Sequence, residues 1–181
     1  MKIYFDGCSY TRGDELSDPE KTRFSKIIAN KLNSIDYNFA ISGGSNRRIA
    51  RNLLEKDLSQ YDIFIIQFTK ILRTEYYNGV RWIKVKYPEF KNNKFRMGGK
   101  GLPHHVIEFW KEYYNRYYHD MYGETDKKIC YHAIKNLLHG KKYLMLDIDQ
   151  LKDMVGDNRA IGGHPDKKGH EIIAQYILDN I

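Results

Sequence analysis

Four consecutive apolar residues, Ile63 to Ile66, restrict the fold more than any other part of the sequence. A strand with one solvated face alternates apolar and polar residues, whereas a strand buried on both faces is apolar throughout. This run therefore predicts a central strand of a parallel sheet. Parallel strands need a long crossover between them, usually a helix, so the run also indicates an α/β fold.

The segments before this run complete the pattern. Lys2 to Asp6 and Ile35 to Ala40 are short β-prone runs, and residues 24–32 and 45–56 carry apolar side chains at helical spacing. The order is β-α-β-α-β, which predicts a three-layer α/β/α fold with a central parallel sheet.

The pattern changes after the third predicted strand. Alternating apolar and polar residues between 71 and 103 indicate a β-hairpin or ordered loop inserted above the sheet. An aromatic helix is predicted from Val106 to Met121, and a strand at 143–147 precedes a closing amphipathic helix. We interpret residues 1–181 as a single domain with an insertion or lid at 71–103.

The positive charge of the chain is concentrated in this insertion. Between Lys70 and Lys100 there are nine Lys or Arg residues and two acids, an excess of seven that equals the net charge of +7. A localised basic segment favours an anionic partner more than a dispersed excess does. A solvated outer face of the insertion is an equally good explanation.

The sequence has the features of a cytoplasmic protein. No apolar run approaches the roughly 20 residues that span a bilayer, and the N-terminal segment lacks the apolar core of a signal peptide. Two cysteines, Cys8 and Cys130, are too few for a disulfide scaffold. We expect no membrane partner, and association with a virion stays open.

A candidate nucleophile, Ser9, follows the first predicted strand directly. Ligands of an open parallel sheet bind beyond the carboxyl ends of its strands. A serine on the turn that leaves such a strand exposes its hydroxyl, and backbone N–H groups beside it can stabilise an oxyanion. The same position also suits a serine that only caps a helix.

Two further segments lie at the same predicted edge of the sheet. Residues 42–46 form a glycine-rich turn after the second strand, where the backbone can approach a ligand and the next helix presents unpaired amides. An ordinary strand-to-helix turn would look the same. His164 precedes a helix that begins near Pro165, and histidine is the side chain best suited to accept a proton at neutral pH.

These three segments, in this order, resemble the SGNH, or GDSL-like, hydrolase family. Gly7-Cys8-Ser9 resembles its Gly-x-Ser motif, Asn38 to Gly43 its Asn-x-x-x-x-Gly turn, and residues 164–170 its C-terminal His-Pro-Asn-x-x-Gly-His-like run. The first two motifs are most similar to those of SGNH-like proteins from phages and large viruses. The resemblance covers about residues 1–70 and 140–181, and it implies a flavodoxin-like sheet and a serine hydrolase without metal or cofactor.

Two departures from the family motifs concern the catalytic residues. The family has Gly-x-Asn-Asp after the third strand, where this chain has Gln67 to Lys70, so Thr69 or Asn46 would have to replace the oxyanion-binding asparagine. The family's aspartate, three residues before the histidine, is Ile161 here. Asp157, or a main-chain carbonyl, would then orient His164.

The resemblance implies a serine esterase or deacylase that acts on a small acyl ester, such as an acetyl group on a carbohydrate or an anionic substrate. Its expected catalytic residues are Ser9, His164 and Asp157. Its expected oxyanion-binding residues are Ser9, Gly43, Asn46 and Thr69.

The alternative is a catalytically degenerate SGNH scaffold that binds nucleic acid or another polyanion. Bases stack on aromatic rings while Lys and Arg contact phosphates, and the insertion combines both residue types. The expected anion contacts are Arg73, Arg81, Lys84 and Lys86, and the interleaved aromatic residues are Tyr76, Tyr77, Trp82, Tyr87, Phe90 and Phe95. A metal enzyme is disfavoured, because His104, His105, His164 and His170 lack metal-motif spacing.

Overall fold

A parallel sheet with helices on both faces organises the computed structural model, which describes residues 1–85 and 103–181 and, between them, the backbone of two short strands. The strands are β1 (Lys2–Asp6), β2 (Ile35–Asn38), β3 (Ile63–Phe68), β4 (Thr74–Tyr77), β5 (Trp82–Val85), β6 (Glu89–Lys91), β7 (Lys94–Arg96) and β8 (Lys142–Asp147). The helices are α1 (Ser9–Arg12), α2 (Pro19–Thr22), α3 (Phe24–Lys31), α4 (Asn46–Leu54), α5 (His104–Glu112), α6 (Asp120–Leu137), α7 (Ile148–Val155) and α8 (Lys167–Asp179). None of the helices in the described residues has the length and apolar character needed to cross a membrane.

The central sheet has four parallel strands in the order β2-β1-β3-β8. Phe5 pairs with Ile65 of β3, and Ile65 pairs in turn with Leu144 of β8. All six residues of β3 are buried. The predicted central parallel strand is therefore confirmed.

The side chains of β3 alternate between two apolar cores. Ile63 and Ile65 belong to a core shared with residues of α3, α7 and α8. Phe64 and Ile66 belong to a second core, which includes residues of α4 and α6. Full burial of such a side chain contributes about 1.5–3 kcal/mol, so both faces of the sheet favour the folded state. The predicted three-layer α/β/α fold is confirmed.

After β3, strands β4 and β5 form an antiparallel hairpin outside the central sheet. Asn78 shapes its turn, because its Oδ1 accepts hydrogen bonds from the N–H groups of Val80 and Arg81 at 3.0 and 2.8 Å. Gly79 has φ of 91°, a conformation that glycine adopts without strain. β6 and β7 form a second antiparallel pair.

The aromatic segment differs from the single helix predicted for 106–121. Helix α5 ends at Glu112, a π-helical turn spans Tyr113–Tyr117, and α6 begins at Asp120. In the π-helical turn the Tyr118 N–H donates to Tyr113 O at 2.8 Å. Such turns are rare and occur mostly as single turns within helical segments. Here the Tyr114 hydroxyl donates to Leu72 O at 3.0 Å.

Candidate active site

Ser9 lies where the order of the parallel strands reverses. From β1 the chain passes to β2 on one side and then returns to β3 on the other side of β1. At such a point the connections leave in opposite directions and open a crevice at the carboxyl ends of the strands. Ser9 is the first residue of α1, just beyond β1, and is 5% exposed.

Gln67, near the end of β3, fixes the turn that carries Ser9. Its side-chain oxygen accepts hydrogen bonds from the Cys8 N–H at 3.1 Å and the Thr11 hydroxyl at 3.0 Å. A Cβ on Gly7 would lie 2.7 Å from the same oxygen, so only glycine allows this approach. The glycine of the first motif is therefore required by packing against β3.

A buried ion pair joins the end of β1 to α4, beside the loop between β2 and α4 (residues 39–45, the second loop). Arg48 donates to Asp6 Oδ1 at 2.8 Å and also to the main-chain oxygen of Phe39. Asp6 is fully buried, and burial raises its pKa above the ordinary value although Arg48 opposes this. Buried ion pairs add little net stability, but losing one partner is costly. Arg48 thus holds the ends of β1 and β2 together.

The two loops that carry the predicted oxyanion-binding amides are in direct contact. A Cβ on Gly44 would lie 2.9 Å from the main-chain oxygen of Gly7. Gly43 beside it has φ of 70°. Neither the Ser9 N–H nor the Gly43 N–H donates a hydrogen bond to any residue in 1–85 or 103–181. Both amides are therefore available to a ligand within the described structure.

Glu15, and not the predicted Asp157, contacts the imidazole of His164. Glu15 Oε2 lies 2.6 Å from His164 Nδ1. The same carboxylate accepts hydrogen bonds from the N–H groups of Gly162 at 2.8 Å and His164 at 3.2 Å. The pKa of Glu15 is held below its ordinary value, chiefly by the hydrogen bond to the His164 side chain. Asp157 makes no hydrogen bond to His164 within the described residues, and Glu15, an acid from the other end of the chain, occupies Nδ1 instead.

The segment that begins at Ser9 also packs against the His164 loop through Tyr10. The Tyr10 hydroxyl donates to Gly163 O at 3.0 Å, and its ring centroid lies 5.7 Å from that of His164. Together with Glu15, this contact brings residues 9–15 and 162–164 to one edge of the sheet. No sequence motif marks Glu15 as a site residue. The only feature of the sequence that could have indicated it is that it is an acid close to Ser9 along the chain.

The hydroxyl of Ser9 is directed at its neighbour Cys8, with Oγ 3.8 Å from Sγ. Sulfur is a weak acceptor, so this contact leaves the hydroxyl easily reoriented. Burial raises the pKa of the Cys8 thiol, but the charge of Arg73 and hydrogen bonds from the Tyr10 N–H and the Thr69 hydroxyl outweigh it and lower the pKa overall. The turn that carries Ser9 therefore favours a negative charge at the Cys8 sulfur.

Asn46 and Thr69, the two predicted replacements for the family asparagine, bind each other. Asn46 Nδ2 donates to Thr69 O at 3.1 Å, and the Thr69 N–H donates to Asn46 Oδ1 at 2.8 Å. The Thr69 hydroxyl accepts from Arg73 Nη1 at 2.6 Å and contacts Cys8. The Asn46 side chain thus holds the main chain after β3 against α4, while the Thr69 hydroxyl binds Arg73, and the role of either residue as an oxyanion donor stays a prediction.

His170 of the C-terminal run lies in the core. Its Nδ1 accepts the Phe24 N–H at 3.1 Å, its ring stacks on Phe24, and it is fully buried. Burial lowers its pKa to about 4, so the ring is neutral at pH 7. Within the described ranges, no three His, Cys, Asp or Glu side chains form a group that could hold a metal ion.

The predicted anion contacts have different surroundings. Lys84 Nζ donates to Ser42 O at 2.8 Å, which ties the β4–β5 hairpin to the second loop. Arg81 lies exposed in the turn of that hairpin. Trp82 packs on Tyr77 and beneath Arg51, and it is 45% exposed. Lys86, Tyr87 and the side chains of Phe90 and Phe95 lie outside the described residues. Polyanion binding stays a prediction.

Comparison with known proteins gives only distant structural similarity. No family model and no curated protein matches the chain. Similar solved structures include the psychrotrophic esterase EstA from Pseudoalteromonas sp. inhibited by monoethylphosphonate, at 17% identity and a TM-score of 0.47 over 98% of this chain and 94% of that chain. Two proteins described as lipolytic, of the G-D-S-L family, are also similar. The one from Desulfitobacterium hafniense DCB-2 has 12% identity and a TM-score of 0.47, with 99% of both chains covered. The one from Veillonella parvula DSM 2008 has 15% identity and a TM-score of 0.45, with 99% of this chain and 97% of that chain covered.

Because the identities are this low and the TM-scores lie below 0.5, these similarities do not show the family of this chain. Its function has to be inferred from its own residues.

Proposed function

We propose that this chain is a serine hydrolase of the SGNH type that cleaves a small acyl ester. Ser9 is the nucleophile, His164 the general base and Glu15 the residue that positions His164. The observation that carries the proposal is the 2.6 Å contact between Glu15 Oε2 and His164 Nδ1. A nucleophile, a base and an acid that orients the base form the arrangement that acyl transfer requires.

The contact with Glu15 determines which nitrogen of His164 can act as the base. An ionised carboxylate only accepts hydrogen bonds, so Nδ1 must carry the proton that it donates to Glu15. Nε2 is then unprotonated and can accept the proton of Ser9 as Oγ attacks the ester carbonyl. Glu15 also stabilises the imidazolium that forms, since its negative charge is already in place. The low pKa of Glu15 keeps it ionised throughout.

The oxyanion of the tetrahedral intermediate would bind the N–H groups of Ser9 and Gly43. Such donors stabilise charge that develops only in the transition state, and removing one costs about 10²–10³ in kcat. His164 then returns the proton to the leaving alcohol. Water, activated by the same nitrogen, hydrolyses the acyl-Ser9 ester and restores the enzyme.

A covalent probe tests the proposal directly. The wild-type protein is incubated with a fluorophosphonate, and the labelled peptide is identified by mass spectrometry. We expect the label on Ser9, loss of labelling in Ser9→Ala, and unchanged labelling in Ser59→Ala, which changes an exposed serine far along the chain. Hydrolysis of p-nitrophenyl acetate should likewise be lost in Ser9→Ala and unchanged in Ser59→Ala.

Two results would contradict the proposal. Ester hydrolysis that survives in purified Ser9→Ala would exclude Ser9 as the nucleophile. Failure of the folded wild-type protein both to react with the probe and to hydrolyse acetyl, propionyl and butyryl esters would exclude the hydrolase assignment itself.

A further inference from the structure

A cavity of about 220 Å³ lies between the start of the β4–β5 hairpin and the aromatic segment. Its walls are mainly aromatic and include Trp110, Tyr113, Tyr114, Tyr118 and Tyr122. The π-helical turn contributes two of these rings, and such turns occur often at functional sites. Aromatic walls of this kind accept the flat face of a ring.

The walls of the cavity are built tightly around Gly123. A Cβ at this position would overlap the Tyr118 hydroxyl and lie 3.0 Å from Ile71 Cβ. The Tyr118 hydroxyl is itself within 3.4 Å of Ile71 O. The Tyr118 ring is therefore held between α6 and the end of the β3–β4 connection, and the cavity is largely preformed.

Two arginines, Arg47 and Arg73, line this cavity, and a third, Arg51, pairs with the lining residue Glu75. Arg47 forms a bidentate pair with Asp126, and Arg51 forms one with Glu75. Arg73 has no carboxylate partner in residues 1–85 and 103–181, and its side chain makes a single hydrogen bond there, to Thr69 Oγ1. A guanidinium has five N–H donors, so most donors of Arg73 are available to an anion.

Arg73 also connects the cavity to the candidate nucleophile. Its Nη1 lies 2.6 Å from Thr69 Oγ1, the Thr69 hydroxyl contacts Cys8, and Cys8 Sγ lies 3.8 Å from Ser9 Oγ. The positive charge of Arg73 also lowers the pKa of the Cys8 thiol, in opposition to burial, which raises it. A chain of side-chain contacts thus links Arg73, which lines the cavity, to Ser9, which lies outside its lining.

We propose that this cavity binds the alcohol part of the ester substrate, a ring that carries an anionic oxygen group, and that Arg73 binds that group. The substrate class is then an acyl ester of an anionic ring compound. This inference rests on the proposed hydrolase function for the identity of the reacting bond. Guanidinium binds carboxylate and phosphate through paired N–H donors, which a lysine cannot reproduce.

Binding to an inactive protein tests the inference without requiring turnover. Ser9→Ala is titrated calorimetrically with 4-acetoxybenzoate, which has a ring and a carboxylate, and with its neutral methyl ester. We expect the carboxylate to bind about tenfold or more tightly, as for a charge-assisted hydrogen bond. Adding Arg73→Gln should abolish this preference, and Arg73→Lys should keep only part of it. Adding Arg116→Gln, at an exposed arginine that pairs with Glu112, should leave it unchanged.

The outcomes separate the two proposals. Equal affinity for both compounds in Ser9→Ala, or a preference that survives Arg73→Gln in a protein with native circular dichroism, would overturn the role of Arg73. If Arg73→Gln does not fold, a full preference retained by Arg73→Lys would overturn the paired-donor contact. A carboxylate preference in Ser9→Ala together with a wild-type protein that hydrolyses neither ester would instead refute the hydrolase proposal and leave the anion site intact.

Discussion

The buried His170 should make the stability of the fold depend on pH, and the size of this effect can be worked out from the structure. Its Nε2 is buried and has no hydrogen-bond partner within the described residues, while its Nδ1 accepts the Phe24 N–H. Because Nδ1 accepts a hydrogen bond, the neutral ring carries its proton on Nε2, and protonation would add an N–H at Nδ1 directly against the Phe24 N–H donor. The charged ring is therefore disfavoured in the folded state.

The magnitude follows from the difference between the folded and unfolded pKa values of His170. Burial lowers the folded value to about 4 from the ordinary 6.5, although Asp166 opposes this in part. Between these values the unfolded chain binds a proton that the folded chain does not, so the free energy of unfolding decreases as the pH falls below 6.5. Each pH unit is equivalent to about 1.4 kcal/mol, so a fall from pH 7 to 5 should cost about 2 kcal/mol.

Urea unfolding at pH 7 and pH 5 measures this cost in wild type, His170→Asn and the exposed control His139→Asn. The asparagine keeps an acceptor for the Phe24 N–H but loses the ring stacked on Phe24, so we expect a loss of roughly 1–3 kcal/mol at pH 7. The free energy of unfolding of His170→Asn should then decrease by much less than that of wild type between pH 7 and 5. The same decrease in both proteins would refute the reasoning, and His139→Asn should behave as wild type.

Two further predictions concern the candidate active site. Glu15→Gln should lower kcat for an acetyl ester by about 10²–10⁴, because its amide donor would favour the wrong tautomer of His164, whereas Asp157→Asn should stay within about twofold of wild type. Steady-state kinetics that showed the reverse order would instead support Asp157 as the acid that orients His164. Gly44→Ala should lower both the thermal midpoint and kcat, since its Cβ would lie 2.9 Å from Gly7 O and separate the two loops. An unchanged melting curve with unchanged kcat would contradict this packing.

The wrong prediction in the aromatic segment has an identifiable cause. Aromatic residues recur there at spacings of three and four, which favours one continuous helix from 106 to 121. That spacing is nearly the same for an α-helix interrupted by a π-helical turn. Contacts of Tyr114 and Tyr118 with the main chain of Leu72 and Ile71 accompany the interruption. These partners lie more than 40 residues away, and helical periodicity carries no information about them.

The sequence by itself determined the sheet and the place of the candidate nucleophile. Burial on both faces requires a continuous apolar strand, so Ile63 to Ile66 predicts the centre of a parallel sheet, and the order of strands and helices then places Ser9 at its carboxyl edge. These are consequences of local patterns, whose periods and order can be read along the chain.

Only the tertiary structure decided which acid contacts His164. Glu15 lies 149 residues from it and has φ of 70°, in a loop without any periodic pattern. The contact exists because α1 turns the chain back toward the loop before α8, where Tyr10 and Gly163 meet. Asp157 is the nearer acid in the sequence, but the distance between two side chains in a folded protein depends on how their loops pack and not on their spacing along the chain.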